Sequence, residues 1–310
     1  MITFISVNDW ANVGYHYAKA LRSVGQNAEA YTINKHVFDY KEQATLITDK
    51  DYLYSILDET DHLVHMHSTL IKPTNKKFNF KTETVFHGGS YYRNNFSKIN
   101  KIFYDHNKHY RSIIQTRDLW NLGAQNKVWV LPPIDVNDYA PQYTTKTPFL
   151  VAHYPSSSLK GTDRYIRPLF QHLENIYPEF THDIGDYNNR VAHEYNLERM
   201  ADNCQVYVEA LHEPETRCGC WGITAMEACA LGKFVITNDS YEHEFKEEYG
   251  NYPRGFRAIK NYLQLSNLLQ NILYEDPNLL IEYAKESREW LKNTLSYEKV
   301  GKKLLDNLFS

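Results

Sequence analysis

Short apolar runs alternate with amphipathic stretches along this chain. Residues 3–7 and 28–33 read as strands. Between them, 13–24 places apolar side chains at Val13, Tyr15, Ala18, Ala20, Leu21 and Val24, the repeat of one helix face, with Gly25 as its stop. Runs at 62–67, 84–87, 113–115 and 128–131 add strand candidates, and such alternation builds parallel βαβ units. Pro132-Pro133 ends the series, and the polar, proline-bearing stretch 138–148 reads as a linker. A second series follows: strand 149–153, helices 165–177 and 193–203, strand 205–209, helix 223–231 stopped by Gly232, and strand 234–237. The tail reads as three helices, at 262–274, 277–293 and 297–308. The pattern predicts two doubly wound α/β domains, 1–145 and 146–294, facing a central cleft. The stretch 295–310 stands apart as a C-terminal helix. No repeat or low-complexity segment interrupts this order.

Open α/β sheets bind ligands beyond the carboxyl ends of their strands, so the loops after each strand carry the candidate chemistry. The loop at 211–222 is the best of them. It leads from a strand into a helix opened by Gly222, Ile223 and Thr224. A helix start offers unpaired N–H groups and the positive end of a dipole, which suits a diphosphate. Glu227 follows one turn later, where a carboxylate can accept hydrogen bonds from ribose hydroxyls. Taken alone, a glycine before a helix is ordinary capping.

The surrounding residues add a resemblance. The run WGITAMEACALGKFVITND at 221–239 resembles the G-x-x-x-x-E-A-x-A-x-G-x-P-V-I signature of retaining GT-B glycosyltransferases of family four, the glycogen-synthase-like and sucrose-synthase-like group. HYPSSSLKGTD at 153–163 looks like that family's Lys-Gly phosphate loop. VWVLPPIDVNDYAP at 128–141 looks like the segment closing its first domain. FHGG at 86–89 looks like its His-Gly turn, and Asn12-Val13-Gly14-Tyr15 stands where its glycine-bearing first loop would be.

The resemblance implies a GT-B fold, with the C-terminal helix over 295–310 crossing back to the first domain, and transfer of a sugar from a nucleoside diphosphate to an acceptor hydroxyl, with a UDP-sugar favoured as co-substrate and no separate cofactor. It further implies roles. Lys160 would neutralise the diphosphate beside Ser156, Ser157 and Ser158. Trp221, Gly222 and Ile223 would offer backbone amides to the distal phosphate, with Thr224 beside them. Glu227 would hold the ribose, His87 would contact the transferred sugar or reacting centre, and Gly14 would let the first loop approach the donor. The sequence departs from the pattern at Gly219, where the family carries a Glu that touches the donor sugar. Glu213 and Glu215 are alternative acids on the same loop.

Charge completes the mechanism that the resemblance implies. Negative charge develops on the departing diphosphate, and Lys160 with a helix N-terminus stabilises it electrostatically. No metal is expected. Asp49-Lys50-Asp51 has D-x-D spacing but reads as a solvated turn. Four cysteines, Cys204, Cys218, Cys220 and Cys229, lack zinc-knuckle spacing. Reduced thiols in a cytoplasm are the default for a chain that opens without a signal peptide. His65 and His67 read as structural histidines.

Composition changes the picture at one place. The chain has 310 residues, 42% hydrophobic and 23% charged, with net charge −4, which excludes a generally basic nucleic-acid binder. Yet between 72 and 117 stand ten Lys or Arg against two acids, Glu83 and Asp105, a local charge of +8 that leaves −12 elsewhere. Aromatics are interleaved with them, among 25 Tyr in the whole chain. Three readings stay open: a solvated basic face, an anionic glycan or lipid-linked acceptor, and DNA. The compact length, the Tyr-, Asn- and Lys-rich usage and the opening at Asp9–Gly25 look like phage-encoded transferases that glycosylate hydroxymethylated pyrimidines, which would place the chain in a host cytoplasm. On that reading Tyr91, Tyr92, Arg93 and Phe96 are the candidate acceptor contacts and the base is flipped out of the duplex. A non-catalytic nucleotide-binding protein on the same fold is the alternative from another class.

Overall fold

The structure, a computed structural model, describes residues 1–71, 77–145, 149–189, 191–212 and 221–309. The chain forms two compact units, one made of Met1–Pro133 with Leu295–Ser310, the other of Ile134–Thr294. The division falls at Pro133, ahead of the polar stretch expected to carry it. Residues 134–145 pack with the second unit, where the Arg288 guanidinium donates to the carbonyls of Val136 and Tyr139.

The first unit contains β1 (Ile2–Ser6), α1 (Val13–Ser23), β2 (Ala28–Thr32), β3 (Thr45–Leu46), α2 (Lys50–Asp58), β4 (His62–His65), β5 (Thr82–His87), α3 (Gly89–His106), β6 (Arg111–Ile114) and β7 (Lys127–Trp129). Its sheet is parallel, in the order β3-β2-β1-β4-β5-β6-β7. β1 is buried at all five residues, as a central strand covered on both faces must be. The chain reverses direction across the sheet between β1 and β4, the switch point of a doubly wound fold.

The second unit contains β8 (Phe149–His153), α4 (Arg167–Ile176), β9 (Phe180–Ile184), α5 (His193–Asn203), β10 (Val206–Val208), α6 (Ile223–Ala230), β11 (Phe234–Asn238), α7 (Glu242–Tyr249), β12 (Phe256–Ile259), α8 (Tyr262–Leu273) and α9 (Pro277–Thr294). Its parallel sheet runs β12-β11-β10-β8-β9, so the switch point lies between β8 and β10. Val151, Phe170, Val206, Val208 and Ile236 form its core with α8 residues Leu265 and Leu269.

The last helix, α10 (Tyr297–Leu304), belongs to the first unit and lies on α1. The two backbones approach closely at Gly301, where a Cβ would stand 2.1 Å from the Ala20 carbonyl oxygen. His16 Nδ1 and the Tyr297 hydroxyl hydrogen-bond at 2.7 Å.

Several elements differ from expectation. The Asp49-Lys50-Asp51 turn is instead the start of α2, with Asp49 as its cap accepting from the Tyr52 amide. Helices α3 and α7 and strands β9 and β12 were not foreseen. Among the described residues, no helix is long and apolar enough to cross a membrane.

Candidate active site

The switch point of the second unit gathers most of the expected donor residues. β8 ends at His153, fully buried, whose Nδ1 meets the Val208 carbonyl at 2.7 Å and whose Nε2 meets Thr162 Oγ1 at 2.9 Å. Burial pulls its pKa down to about 4, so it is a neutral strut between β8, β10 and the following loop. That loop carries Ser156 and Ser158 exposed, Ser157 half-buried and Lys160 at its end. Gly161 then adopts φ 76°, and a Cβ there would stand 1.9 Å from the Leu211 carbonyl oxygen. The Leu211 amide donates to the Lys160 carbonyl at 3.0 Å. The Lys-Gly turn is thereby fixed to the chain leaving β10.

Opposite this turn, α6 begins at Gly222 with no side-chain cap. Gly222, Ile223 and Thr224 are half-buried. Trp221 is buried instead, its ring stacked 3.8 Å from Phe256 and 4.9 Å from Trp290. That stack anchors the start of α6. Glu227 lies one turn into α6 and is 3% exposed. Its Oε1 accepts from His193 Nε2 at 2.6 Å and from the Tyr139 hydroxyl at 3.4 Å.

Sequence reasoning missed the second carboxylate. Glu209, just past β10, is 2% exposed, takes the Lys160 ammonium at 3.0 Å and accepts from Thr237 Oγ1 at 2.9 Å. Gly222 is where it is because of Glu209: a Cβ would stand 1.8 Å from Glu209 Oε1. The signal was an acid at the end of an apolar strand, a costly burial that requires a partner. Gly219, Glu213, Glu215, Cys218 and Cys220 lie outside the described residues.

The first unit places its candidates differently. Gly14 is close to Asp9, whose carboxylate accepts from the amides of Gly14 at 2.8 Å and Tyr15 at 3.0 Å and lies 3.3 Å from His67 Nε2. A Cβ on Gly14 would meet Asp9 Oδ1 at 3.0 Å, so this loop's glycine serves an internal cap. His87 is fully buried, its Nδ1 paired with Ser68 Oγ at 2.9 Å and its ring stacked 3.9 Å from Tyr92. Burial lowers its pKa to about 3, which keeps the ring neutral.

Tyr92, expected at an acceptor, is a core residue at 0% exposure, its hydroxyl donating to Asn100. Arg93 is ion-paired with Asp118. Tyr91 and Phe96 are exposed on α3. The basic stretch is also partly answered: Lys81 pairs with Asp61 and Lys101 with Asp105, while Arg117 lies over the Trp120 ring. Lys72 and Lys76 lie outside the described residues.

Two further clusters bear on chemistry. His65, Glu83 and His106 bring potential ligand atoms within 4.8 Å of one another. His65 Nδ1 accepts from the Ile71 amide, however, which leaves its proton on Nε2 facing Glu83 3.5 Å away. A ligating histidine needs the reverse, a protonated outer nitrogen. The group is a hydrogen-bonded cluster in which Glu83 also accepts from His106 and Asn107, each at 2.8 Å. A cavity of about 120 Å³ is lined by Phe149, Cys204, Gln205, Gly232, Ile272 and Leu280. It lies at the amino ends of the strands, away from Lys160 and Gly222, and takes no part in the donor site.

No family model matches the chain, and no curated protein matches it. Solved structures do. HepE of Anabaena, in complex with UDP and glucose, superposes with a TM-score of 0.66 at 13% identity over 100% of this chain and 99% of that one. A sucrose-phosphate synthase from Thermosynechococcus elongatus gives 0.61 at 14%, covering 98% and 97%. A glycosyltransferase from Rickettsia africae gives 0.60 at 11%, also covering 98% and 97%. The architecture is therefore that of the GT-B glycosyltransferases, with two Rossmann-like parallel sheets in one chain.

Proposed function

We propose that the protein is a nucleotide-sugar-dependent glycosyltransferase, transferring a sugar with retention from a nucleoside diphosphate, UDP favoured, to an acceptor hydroxyl. The observation that carries this reading is the convergence of the Lys160 ammonium and the uncapped start of α6 at the β8/β10 switch point. Two positive elements at the carboxyl ends of parallel strands suit a diphosphate. HepE, a neighbour in fold, is described in complex with UDP-glucose. As the glycosidic bond breaks, Lys160 and the α6 amides take up the charge on the leaving diphosphate. Glu227 then receives the ribose by exchanging its His193 hydrogen bond for hydroxyl donors.

For the acceptor we favour a 5-hydroxymethylated pyrimidine in DNA. Supporting it, α3 exposes Tyr91, Phe96 and Tyr104 along with Lys98, a surface for stacked bases and phosphates. A cell-surface or lipid-linked glycan is the competing acceptor. The test is mass spectrometry of hydroxymethylcytosine and hydroxymethyluracil DNA after incubation with UDP- and GDP-sugars. A mass gain of one sugar is expected, abolished in Lys160→Ala and Glu227→Ala. Sugar transfer to glycans alone would overturn the DNA acceptor. Absence of both transfer and donor hydrolysis with every sugar nucleotide would overturn the enzyme.

A further inference from the structure

A site meant for a diphosphate gains nothing obvious from a buried carboxylate, yet Glu209 stands inside this one. Its position is enforced from three sides. Lys160 Nζ holds Oε1 at 3.0 Å, Thr237 Oγ1 holds Oε2 at 2.9 Å, and the absent side chain of Gly222 leaves the space Oε1 fills. Burial pushes the Glu209 pKa up, but the Lys160 ammonium and the Thr237 hydroxyl outweigh it, so the group is an anion. Lys160 is therefore an ion-paired cation rather than a lone one. An ammonium has three N–H groups, so one lysine can serve a carboxylate and a phosphate at once.

We propose that Glu209 is a positioning residue that aims Lys160 at the diphosphate and a built-in counter-charge that weakens the hold on the nucleoside diphosphate product. The inference rests on the donor site described above. A lone lysine with a helix terminus would grip the ground states and the product as firmly as the transition state, and such uniform binding adds nothing to turnover. A fixed anion behind the lysine subtracts from product affinity. It also keeps the ammonium in one place, which favours the geometry in which leaving-group charge appears.

The test is calorimetric titration of UDP and GDP into wild type, Glu209→Gln, Lys160→Ala and the double variant, with donor turnover measured alongside. Glu209→Gln should bind the diphosphate about tenfold tighter, since one buried negative charge is removed. Its kcat should fall while its donor KM falls too, a split that a merely structural residue would not produce. Lys160→Ala should bind at least about tenfold more weakly than wild type, because a buried anion then faces the phosphates alone. Adding Glu209→Gln to Lys160→Ala should recover most of that loss.

A Glu209→Gln protein that binds no tighter than wild type overturns the proposal while leaving the donor site standing. A wild type that binds no nucleoside diphosphate overturns the donor site itself. Should Glu209→Gln alone fail to fold, the double variant decides: it should bind the diphosphate about tenfold more tightly than Lys160→Ala, and equal affinity refutes the assignment.

Discussion

Replacing Gly222 by Ala tests the geometry beneath α6 with one methyl group. The backbone there, φ −69° and ψ 152°, accepts any residue, so no conformational strain enters. Loss of chain freedom in the unfolded state favours alanine by about 0.4–1 kcal/mol. Against it, the new Cβ would stand 1.8 Å from Glu209 Oε1 and 2.9 Å from its carboxyl carbon. Overpacking a filled interior costs about 1–3 kcal/mol. The carboxylate can yield only by leaving Lys160 or Thr237, and breaking a buried pair outright costs about 3–5 kcal/mol. Lys160 keeps 24% of its side chain exposed, which moderates that figure.

The net expectation is a loss of about 2–4 kcal/mol, or about 5–15 °C in the unfolding midpoint of a unit this size. Differential scanning calorimetry reads it directly. In a Glu209→Ala background the same methyl should cost little, because the space is vacated. A midpoint lowered by less than about 2 °C in the single variant would refute the placement of Glu209 under the helix start.

Three other expectations follow from the same structure. Burial pulls the His193 pKa down, but the Glu227 carboxylate outweighs it and the net shift is upward, so its stabilising pair is complete below about pH 6.5 and is lost as pH rises through the folded value; His193→Gln should therefore lower the unfolding midpoint more at pH 6 than at pH 9, and an equal gap would contradict the pairing. Arg288 donates to the carbonyls of Val136, Tyr139 and Ala230; Arg288→Met should destabilise the second unit by about 2–4 kcal/mol in denaturant titration, and a change under about 0.5 kcal/mol would dismiss the clamp. Cys204 and Cys229 are fully buried, and burial drives the Cys204 thiol up to about 12 and that of Cys229 higher still; both should stay unlabelled by Ellman's reagent in the folded protein when mapped by peptide mass, and rapid labelling of either would show that the packing around it opens.

The parallel α/β pattern was legible because central strands here are plain apolar runs. Phe149–His153 and His193–Asn203 fall at the expected residues. Helix α3 was not, since its core contacts are Tyr92, Ile99 and Phe103 while Phe96, Ile102 and Tyr104 face outward. Aromatics on both faces erase the periodicity, and the segment read as a basic patch. α7 hides for a related reason: of its eight residues only Phe245 is buried.

At the site, Lys160, Gly222 and Glu227 could be picked out because each belongs to a local run. Their partners could not. Glu209 lies 49 residues from Lys160, and His193 lies 34 from Glu227. Pairings at that range depend on strand order, which the one-dimensional pattern leaves open. Tyr92 shows the opposite error, a side chain with a polar tip read as a surface contact when its hydroxyl has an internal acceptor.

The packing of α10 on α1 has a consequence for biosynthesis. The first unit is completed by residues made after the whole of the second. As the chain leaves the ribosome, α1 waits with Ala20 and its neighbours uncovered until Gly301 and Tyr297 arrive. The inserted unit, Ile134–Thr294, is contiguous and can close first, against the usual N-to-C order of domain folding. A nascent chain stalled before Leu295 would then carry one finished unit and one that still lacks the helix that covers α1.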